Sequence, residues 1–184
     1  MQPIHCNWGL LPAALLAAIT AAGCSRPAHG KEPEMLKPGV LAPELHAIDQ
    51  NGQSRTLASE RGHPVVVYFY PKDATPGCTK EACAFRDVWE RFKAAGVQVF
   101  GVSADDRKSH EKFAIDQKLP FPLLADPDHV WIDGFGVPTR LGMPTRVSFL
   151  IGPDGKIAKV YPNVDPGVHA TEVLADAQAV SVAR

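Results

Sequence analysis

The stretch "PVVVYFYPKDATPGCTKEACAFRD", residues 64–87, joins three kinds of sequence in a fixed order. It begins with a continuous apolar run, residues 64–71, rich in β-branched and aromatic side chains. Such a run predicts a strand that is buried on both faces of a sheet. A short loop follows, and then apolar residues recur at helical spacing over residues 79–95 until Gly96 ends the pattern. A strand followed closely by a helix indicates a sheet covered by helices.

The rest of the chain repeats this alternation on both sides of that stretch. An Asn-Gly pair between two short extended runs predicts a β-hairpin within residues 43–57. A Pro-Asp-Gly turn between two apolar runs predicts a second hairpin near the C-terminus. The remaining predicted elements are a strand at 97–104, an acid-capped helix at 105–119, a short strand at 121–126, a short helix or turn at 127–137 and an amphipathic helix at 167–180. This order predicts a three-layer α/β domain with an N-terminal β-hairpin and an antiparallel edge.

Length and composition set limits on the function. The chain has 184 residues, which suffices for one domain with a core. Its formal net charge is −1, so nothing in the charge balance indicates a nucleic-acid partner. The seven histidines show no pair at metal-ligand spacing on a common face, and we expect no metal site.

The N-terminus differs from the rest of the chain. Residues 8–23, "WGLLPAALLAAITAAG", are apolar and end in small residues, which is typical of a secretory signal peptide. The run is too short and too rich in alanine for a membrane span. The positively charged start of a signal peptide is missing, since residues 1–24 contain no Lys or Arg. We expect residues 1–24 to be a signal peptide.

The end of this leader suggests a lipid anchor. "AAGC" at 21–24 resembles the lipobox of bacterial lipoproteins, in which the cysteine is acylated, although Ala21 replaces the usual leucine. A plain cleaved signal with an incidental cysteine is the alternative. Residues 25–38 are polar and proline-rich and are predicted to form a flexible tether to a domain at 39–184. The protein is then expected to be exported, either periplasmic or anchored to the membrane through Cys24.

Cys78 lies where a helix is predicted to begin. The unpaired N–H groups and the positive end of the helix dipole stabilise a thiolate in the first helical turn. Such a site favours a nucleophilic sulfur. Thr75, three residues earlier, can direct its hydroxyl at the thiolate or at a substrate oxygen, while Pro71 and Pro76 fix the loop and shield the site.

Cys83 follows five positions later on the same predicted helix. On an intact helix the two side chains point about 140° apart, and their Cα atoms are separated by about 7.5 Å along the axis. That separation exceeds the usual disulfide span. Either the two cysteines never pair, or the first turn of the helix unwinds so that an oxidised Cys78 can condense with Cys83.

The segment "YPKDATPGCTKEACAFRD" resembles the active-site segment of peroxiredoxins, whose pattern Pro-x-x-x-Thr-x-x-Cys is met by Pro71, Thr75 and Cys78. More narrowly, it resembles the bacterioferritin comigratory protein (peroxiredoxin Q-like) branch, in which the resolving cysteine lies five residues after the peroxidatic one. The resemblance continues through "VQVFGVSADD", "KLPFPLLADPD" and "RVSFLIGPDGKIAKVYPNVDPGVHATEVL" and covers about residues 37–178. It implies a thioredoxin-like fold.

The resemblance implies a role for each site residue. Cys78 corresponds to the peroxidatic cysteine that attacks the peroxide O–O bond, and Thr75 to the hydroxyl that positions the peroxide. Arg146 corresponds to the active-site arginine, which favours the thiolate and stabilises charge on the leaving oxygen. Pro71 corresponds to the residue that shields the sulfur. Glu81 matches an acidic position that holds the arginine, with an exposed helix carboxylate as the alternative.

The resemblance further implies that Cys83 is the resolving cysteine and forms an intramolecular disulfide with Cys78. The expected activity is reduction of hydrogen peroxide and organic hydroperoxides, with recycling by a thioredoxin-like reductant and without metal, haem or flavin. A monomer is expected. Export departs from the many cytosolic members of the family and requires a dedicated reductant, because an oxidising compartment keeps such a pair as a disulfide.

Several alternatives remain open from the sequence. The segment "FGVPTRLGMPT" before Arg146 is shorter than the common family loop and offers Arg140 as another partner for the sulfur. A disulfide reductase of the same fold needs Cys-x-x-Cys, which is absent. A copper chaperone uses Cys-x-x-x-Cys with a distal histidine, one residue shorter than the spacing here. A protein that keeps the fold but has lost turnover is the third alternative, and intact Cys78, Thr75 and Arg146 argue against it.

Overall fold

The computed structural model of the chain describes residues 34–182. In these residues seven strands form one mixed sheet in the order β2-β1-β5-β4-β3-β8-β9, and β6 and β7 form a separate two-stranded ribbon. The strands are β1 His46–Asp49, β2 Ser54–Thr56, β3 Val65–Phe69, β4 Gln98–Ser103, β5 Leu123–Ala125, β6 Thr139–Arg140, β7 Met143–Pro144, β8 Val147–Ile151 and β9 Ile157–Tyr161. The α-helices are α1 Pro76–Asp87, α2 Trp89–Ala94, α3 Arg107–Gln117, α4 Val130–Gly134 and α5 His169–Val182, and a 3₁₀ turn covers Ala58–Glu60.

Strand β3 lies at the centre of the large sheet. It pairs in parallel with β4 and antiparallel with β8, and all five of its residues are buried. β-branched and aromatic side chains suit such a position because they pack well on both sides of a pleated surface. The prediction of a strand buried on both faces is confirmed.

The side chains of β3 alternate between two cores. Val66 and Tyr68 face a core formed with α1, α2, α3 and α5. Val65, Val67 and Phe69 face a second core to which α4 contributes Trp131 and other apolar residues. Since successive side chains of a strand point to opposite faces, one apolar run supplies both cores. The predicted three-layer α/β architecture is confirmed.

Both predicted hairpins are present. β1 and β2 are joined by a turn in which Gly52 has a φ of 77°, and β1 extends the sheet by antiparallel pairing with β5. β8 and β9 are joined by the Pro-Asp-Gly turn, where Gly155 has a φ of 81°. A positive φ is accessible to glycine without steric cost, which explains its place in both turns.

The prediction of one helix at residues 79–95 is wrong in two respects. It begins earlier, at Pro76, because proline at the first helical position has the required φ and loses no hydrogen bond there. It is also two helices, since Val88 leaves the helical region with φ −109° and ψ 12° and its N–H donates to Arg86 O. No glycine or proline marks this break in the sequence. Phe85 and Phe92, one on each side of it, are both fully buried.

Two further features differ from the sequence-based expectation. The segment 34–38, assigned to the tether, packs on the domain: Leu36 N donates to Phe135 O at 3.1 Å, and Met35 contacts the second core. The β6–β7 ribbon was not predicted, and its turn contains Leu141 and Gly142 at positive φ. The predicted leader 1–24 and Cys24 lie outside the described residues. Within residues 34–182 no helix has both the length and the apolar character that crossing a membrane requires.

Candidate active site

The site is built where β3 ends and α1 begins. Cys78 is the third residue of α1 and is 2% exposed. Thr79 N donates to Thr75 O at 2.8 Å, which closes the first helical turn around the sulfur. The unpaired N–H groups at this end of a twelve-residue helix favour negative charge on a side chain in the first turn.

Arg146, 68 positions after Cys78 in the sequence, places a cation next to this sulfur. It directly precedes β8, whose first residue, Val147, pairs with Phe69 at the end of β3. Its Nη2 donates to Cys78 Sγ at 3.2 Å. A Cβ at Gly77 would lie 3.3 Å from this Nη2, so glycine there leaves the guanidinium its space. The other candidate, Arg140, is an exposed residue of β6.

Glu81 is the second partner of Arg146 and lies one turn after Cys78 on α1. Its side chain is fully buried, its Oε2 accepts from Arg146 Nη1, and its Oε1 has no hydrogen-bond partner among residues 34–182. The alternative of an exposed carboxylate is therefore wrong. The guanidinium connects a carboxylate and a thiol at once, which its planar fork of donors allows.

Burial and the charge of the partner shift the pKa values of Glu81 and Arg146 in opposite directions. Burial raises the pKa of Glu81 from its ordinary value of 4.5 to about 7, against the opposing attraction of Arg146. For Arg146, burial lowers the pKa, but Glu81 and Cys78 outweigh it and the net pKa is raised. Arg146 is thus cationic throughout the physiological range, while Glu81 exchanges its proton close to neutral pH.

Thr75 and Pro71 belong to the loop between β3 and α1 that leads to Cys78. Thr75 occupies the N-cap position with an extended backbone (φ −76°, ψ 150°), but its hydroxyl makes no capping bond. Instead Thr75 Oγ1 donates to Lys72 O at 3.1 Å, which leaves the oxygen's lone pairs as acceptors. Pro71 follows Tyr70 and is half-buried.

Sequence reasoning missed the group that holds this loop. Tyr70 Oη donates to Asp73 Oδ1 at 2.8 Å, and His110 Nδ1 lies 2.8 Å from Asp73 Oδ2. His110 Nε2 lies 3.1 Å from Leu124 O, so both ring nitrogens lie next to oxygen atoms. No local signal in the sequence links His110 to Asp73, which lies 37 positions earlier.

The same loop carries a strained residue. Ala74 has a φ of 57°, a left-handed conformation that is unfavourable for a residue with a Cβ. Asp73 N donates to Asp105 Oδ2 at 2.8 Å and fixes the preceding peptide. The buried contacts of Asp73 therefore hold the strained turn that places Thr75 and Cys78.

Cys83 is not at the site. It is half-buried in the middle of α1, and its Sγ donates to Gln117 Oε1 at 3.6 Å. Both Cys78 and Cys83 are free thiols in this structure. The structure thus brings Cys78, Arg146 and Glu81 into contact, places Thr75 at the N-cap of the same helix with its hydroxyl on Lys72 O, and leaves Cys83 outside this group.

His169 and Trp131 lie in the core and have contacts that stabilise the fold. His169 Nε2 lies 2.9 Å from Ser148 Oγ, and burial lowers the pKa of His169 to about 4, so it is neutral at physiological pH. Trp131 is fully buried in the core around α4. Among residues 34–182, no three His, Cys, Asp or Glu side chains converge as metal ligands would.

Comparison with known proteins agrees with this geometry. A model described as the AhpC/TSA family matches residues 38–160. Peroxiredoxin Q, chloroplastic, from Oryza sativa subsp. japonica is 45% identical over 139 residues, which are 74% of this chain and 64% of that protein. Peroxiredoxin Q, chloroplastic, from Suaeda salsa is 44% identical, with 74% and 65% covered. The chain spans slightly less than two thirds of the length of these relatives.

Solved structures give the same result for the fold. Peroxidoxin BcpB from Mycobacterium tuberculosis is 36% identical with a TM-score of 0.73, covering 79% of this chain and 98% of that one. Peroxiredoxin Q from Xanthomonas campestris is 34% identical with a TM-score of 0.72, covering 82% and 99%. The predicted thioredoxin-like fold is confirmed. The chain belongs to the AhpC/TSA family, in its peroxiredoxin Q and bacterioferritin comigratory protein branch.

Proposed function

We propose that the chain is a thiol-dependent peroxidase in which Cys78 is the peroxidatic residue. The observation that carries this proposal is the 3.2 Å contact between Arg146 Nη2 and Cys78 Sγ at the first turn of α1. A cation and a helix N-terminus both favour the thiolate, which is the reactive form of the sulfur. Family membership supports the same assignment.

The first half-reaction is a displacement at oxygen. The electron pair of the Cys78 thiolate forms an S–O bond with the terminal peroxide oxygen, and the O–O bond breaks. The other oxygen leaves with the bonding pair and takes up a proton, giving water or an alcohol, while Cys78 becomes a sulfenic acid. Arg146 stabilises the charge on the departing oxygen, and the lone pairs of Thr75 Oγ1 accept a hydrogen bond from the hydroperoxide O–H.

The remaining groups act through Arg146 and the loop. Glu81 orients the guanidinium by accepting from Nη1 while Nη2 faces the sulfur. Pro71 shields the thiolate from solvent. Because Glu81 and Cys78 are both buried beside Arg146, water does not screen these contacts.

The second half-reaction needs α1 to open. Cys83 lies five residues from Cys78 on a regular helix, and the first turns must unwind before the two sulfurs meet. Condensation then gives an intramolecular disulfide and water. A thioredoxin-like dithiol protein reduces this disulfide and closes the cycle.

The substrates in this proposal are hydrogen peroxide and organic hydroperoxides. A bacterioferritin comigratory protein from Xanthomonas campestris, 33% identical to this chain, is described as having alkyl peroxide reduction activity. The proposal also includes export through the leader 1–24, with acylation of Cys24 as the anchor, and a monomeric domain. The curated plant relatives are chloroplastic proteins, and their location is not carried over to this chain.

The test is peroxide consumption by three forms of the mature protein with a thioredoxin system as the electron donor. We expect sustained turnover by the unchanged protein and none by Cys78→Ser. Cys83→Ser should consume one equivalent of peroxide and then stop. Sustained turnover by Cys78→Ser would overturn the assignment.

A further inference from the structure

Arg86 lies on the same face of α1 as Cys83, three residues further along. Residues three apart on a helix are neighbours on its surface. The Arg86 side chain is about one third exposed, so its guanidinium is partly withdrawn from water. Nothing in the peroxide step uses this residue, since Arg146 is the cation beside Cys78.

Both side chains contact one residue of α3. Arg86 Nη1 donates to the backbone oxygen of Gln117 at 2.8 Å, and Cys83 Sγ donates to Gln117 Oε1 at 3.6 Å. Gln117 is the last residue of α3, so the Arg86 cation also meets the negative end of that helix dipole. These contacts hold the guanidinium and the thiol side by side.

We propose that Arg86 is a positioning residue for the second half-reaction, which holds Cys83 as a thiolate ready to attack the oxidised Cys78. This inference rests on the proposed function, because it requires Cys83 to be the resolving cysteine. When the Cys83 thiol loses its proton, it no longer donates to Gln117 Oε1. The neighbouring guanidinium then supplies the hydrogen bonds that the sulfur needs.

The chemistry of this step balances with no further reactant. The Cys83 thiol first releases its proton to solvent. The thiolate electron pair then attacks Cys78 Sγ, the new S–S bond forms, and the S–O bond of the sulfenic acid breaks. The departing hydroxide takes up a proton, so one water leaves for each disulfide formed.

The hydrogen bond between Arg86 and Gln117 is also compatible with the opening of α1. Because Arg86 is fixed to the end of α3, the C-terminal part of α1 stays in place when the N-terminal turns unwind. Cys78 moves toward Cys83 rather than the reverse. Arg86 thus stays next to Cys83 during the step in which its charge is needed.

Other charges around Cys83 do not replace Arg86. Asp87 Oδ1 accepts from Arg86 Nε at 2.9 Å and from Nη2 at 2.8 Å, and because the Asp87 side chain is 65% exposed, its carboxylate only partly offsets the charge of Arg86. Its hydrogen bond is the main reason that the pKa of Arg86 is raised, and the attraction of Cys83 raises it further. The side chain that Cys83 itself contacts, the Gln117 amide, is uncharged. The charged side chains nearest to these two residues in sequence, Lys80, Asp116 and Lys118, are exposed.

The test separates the two half-reactions in time. Reduced protein is mixed with one equivalent of hydrogen peroxide, quenched with a thiol-alkylating reagent, and analysed by mass spectrometry for sulfenic acid and disulfide. Arg86→Gln is compared with Arg86→Lys, which keeps the charge, and with Arg91→Gln on the exposed face of α2 as the matched control. We expect Cys78 oxidation at the wild-type rate in all three.

Disulfide formation should be slower in Arg86→Gln near neutral pH, by about 3- to 10-fold. The effect is limited, because a more basic thiolate is a better nucleophile. The deficit should shrink toward alkaline pH, where the thiol ionises without help, and Arg86→Lys should recover most of the rate. Under excess peroxide, Arg86→Gln should accumulate more sulfinic acid on Cys78.

Three results would overturn the inference. One is disulfide formation by Arg86→Gln at the wild-type rate near neutral pH. Another is a deficit that is equal at every pH, which would give Arg86 a purely structural role. The third is failure of Cys78 to oxidise in the unchanged protein. That failure removes the proposed function itself, so it is distinguishable from the first two.

Discussion

Removing the guanidinium of Arg146 should slow the reaction of Cys78 with peroxide. Arg146→Gln keeps a polar side chain of shorter reach but removes the charge that lies 3.2 Å from the sulfur. A hydrogen bond to a charged group contributes about 1.5–3 kcal/mol. Since each 1.36 kcal/mol is a factor of ten in rate, the expected loss is about 10- to 150-fold. Arg146→Lys should be intermediate, because an ammonium lacks the planar fork that reaches Cys78 and Glu81 together.

The assay is the second-order rate constant of Cys78 oxidation, measured by rapid mixing, alkylation and mass spectrometry, which excludes the later steps. Arg140→Gln is the matched control, since Arg140 is an exposed arginine on the β6–β7 ribbon only six positions away. Unfolding midpoints of both variants check that the fold is kept. A rate for Arg146→Gln within about twofold of the unchanged protein, or a larger loss in Arg140→Gln, would refute this reasoning.

Three predictions concern stability, each measured by urea unfolding of the mature domain. Because Glu81 keeps its proton up to about pH 7 when folded but only to about pH 4.5 when unfolded, its contribution to the free energy of unfolding should fall by about 3 kcal/mol as pH rises through this window, and the pH profile of Glu81→Gln should differ from that of the unchanged protein by this amount. His169 contributes with the opposite sign: its pKa is about 4 when folded and 6.5 when unfolded, so its contribution should fall by up to about 3 kcal/mol as pH drops from 6.5 to 4, and His169→Gln should lack this contribution. Since the two contributions oppose each other between about pH 4.5 and 6.5, each is measured as the difference between the variant and the unchanged protein. An unchanged pH slope in either variant would contradict its assignment. His110→Ala should cost about 1.5–3 kcal/mol because it removes one of the hydrogen-bond partners of the buried Asp73 carboxylate, whereas the exposed His46→Ala should change stability by less than about 0.5 kcal/mol; equal effects would contradict the buried pair.

Local patterns predicted much of the fold. The apolar run of β3 and the Asn-Gly turn between β1 and β2 each carry their structural signal within a few residues. The break at Val88 carries no such signal, because it depends on packing Phe85 and Phe92 into one core. Tertiary packing here overrides the local helical pattern.

The site, like the fold, was predictable where the signal is local in the sequence. The position of Cys78 at a helix start follows from the neighbouring sequence, while the partnership of Arg146 with Cys78 spans 68 positions and was suggested only by family resemblance. The burial of Glu81 and the contact of Asp73 with His110 had no sequence signal of their own. Both depend on which side chains the fold brings together from distant segments.

The central claim is that Cys78 reacts while α1 is folded and that Cys83 reaches it when α1 opens. The most direct measurement is the mass and peptide map of the reduced protein after one equivalent of hydrogen peroxide. The account predicts loss of two hydrogens and a crosslinked peptide that joins Cys78 to Cys83. Two unchanged thiols with the peroxide unconsumed would contradict it.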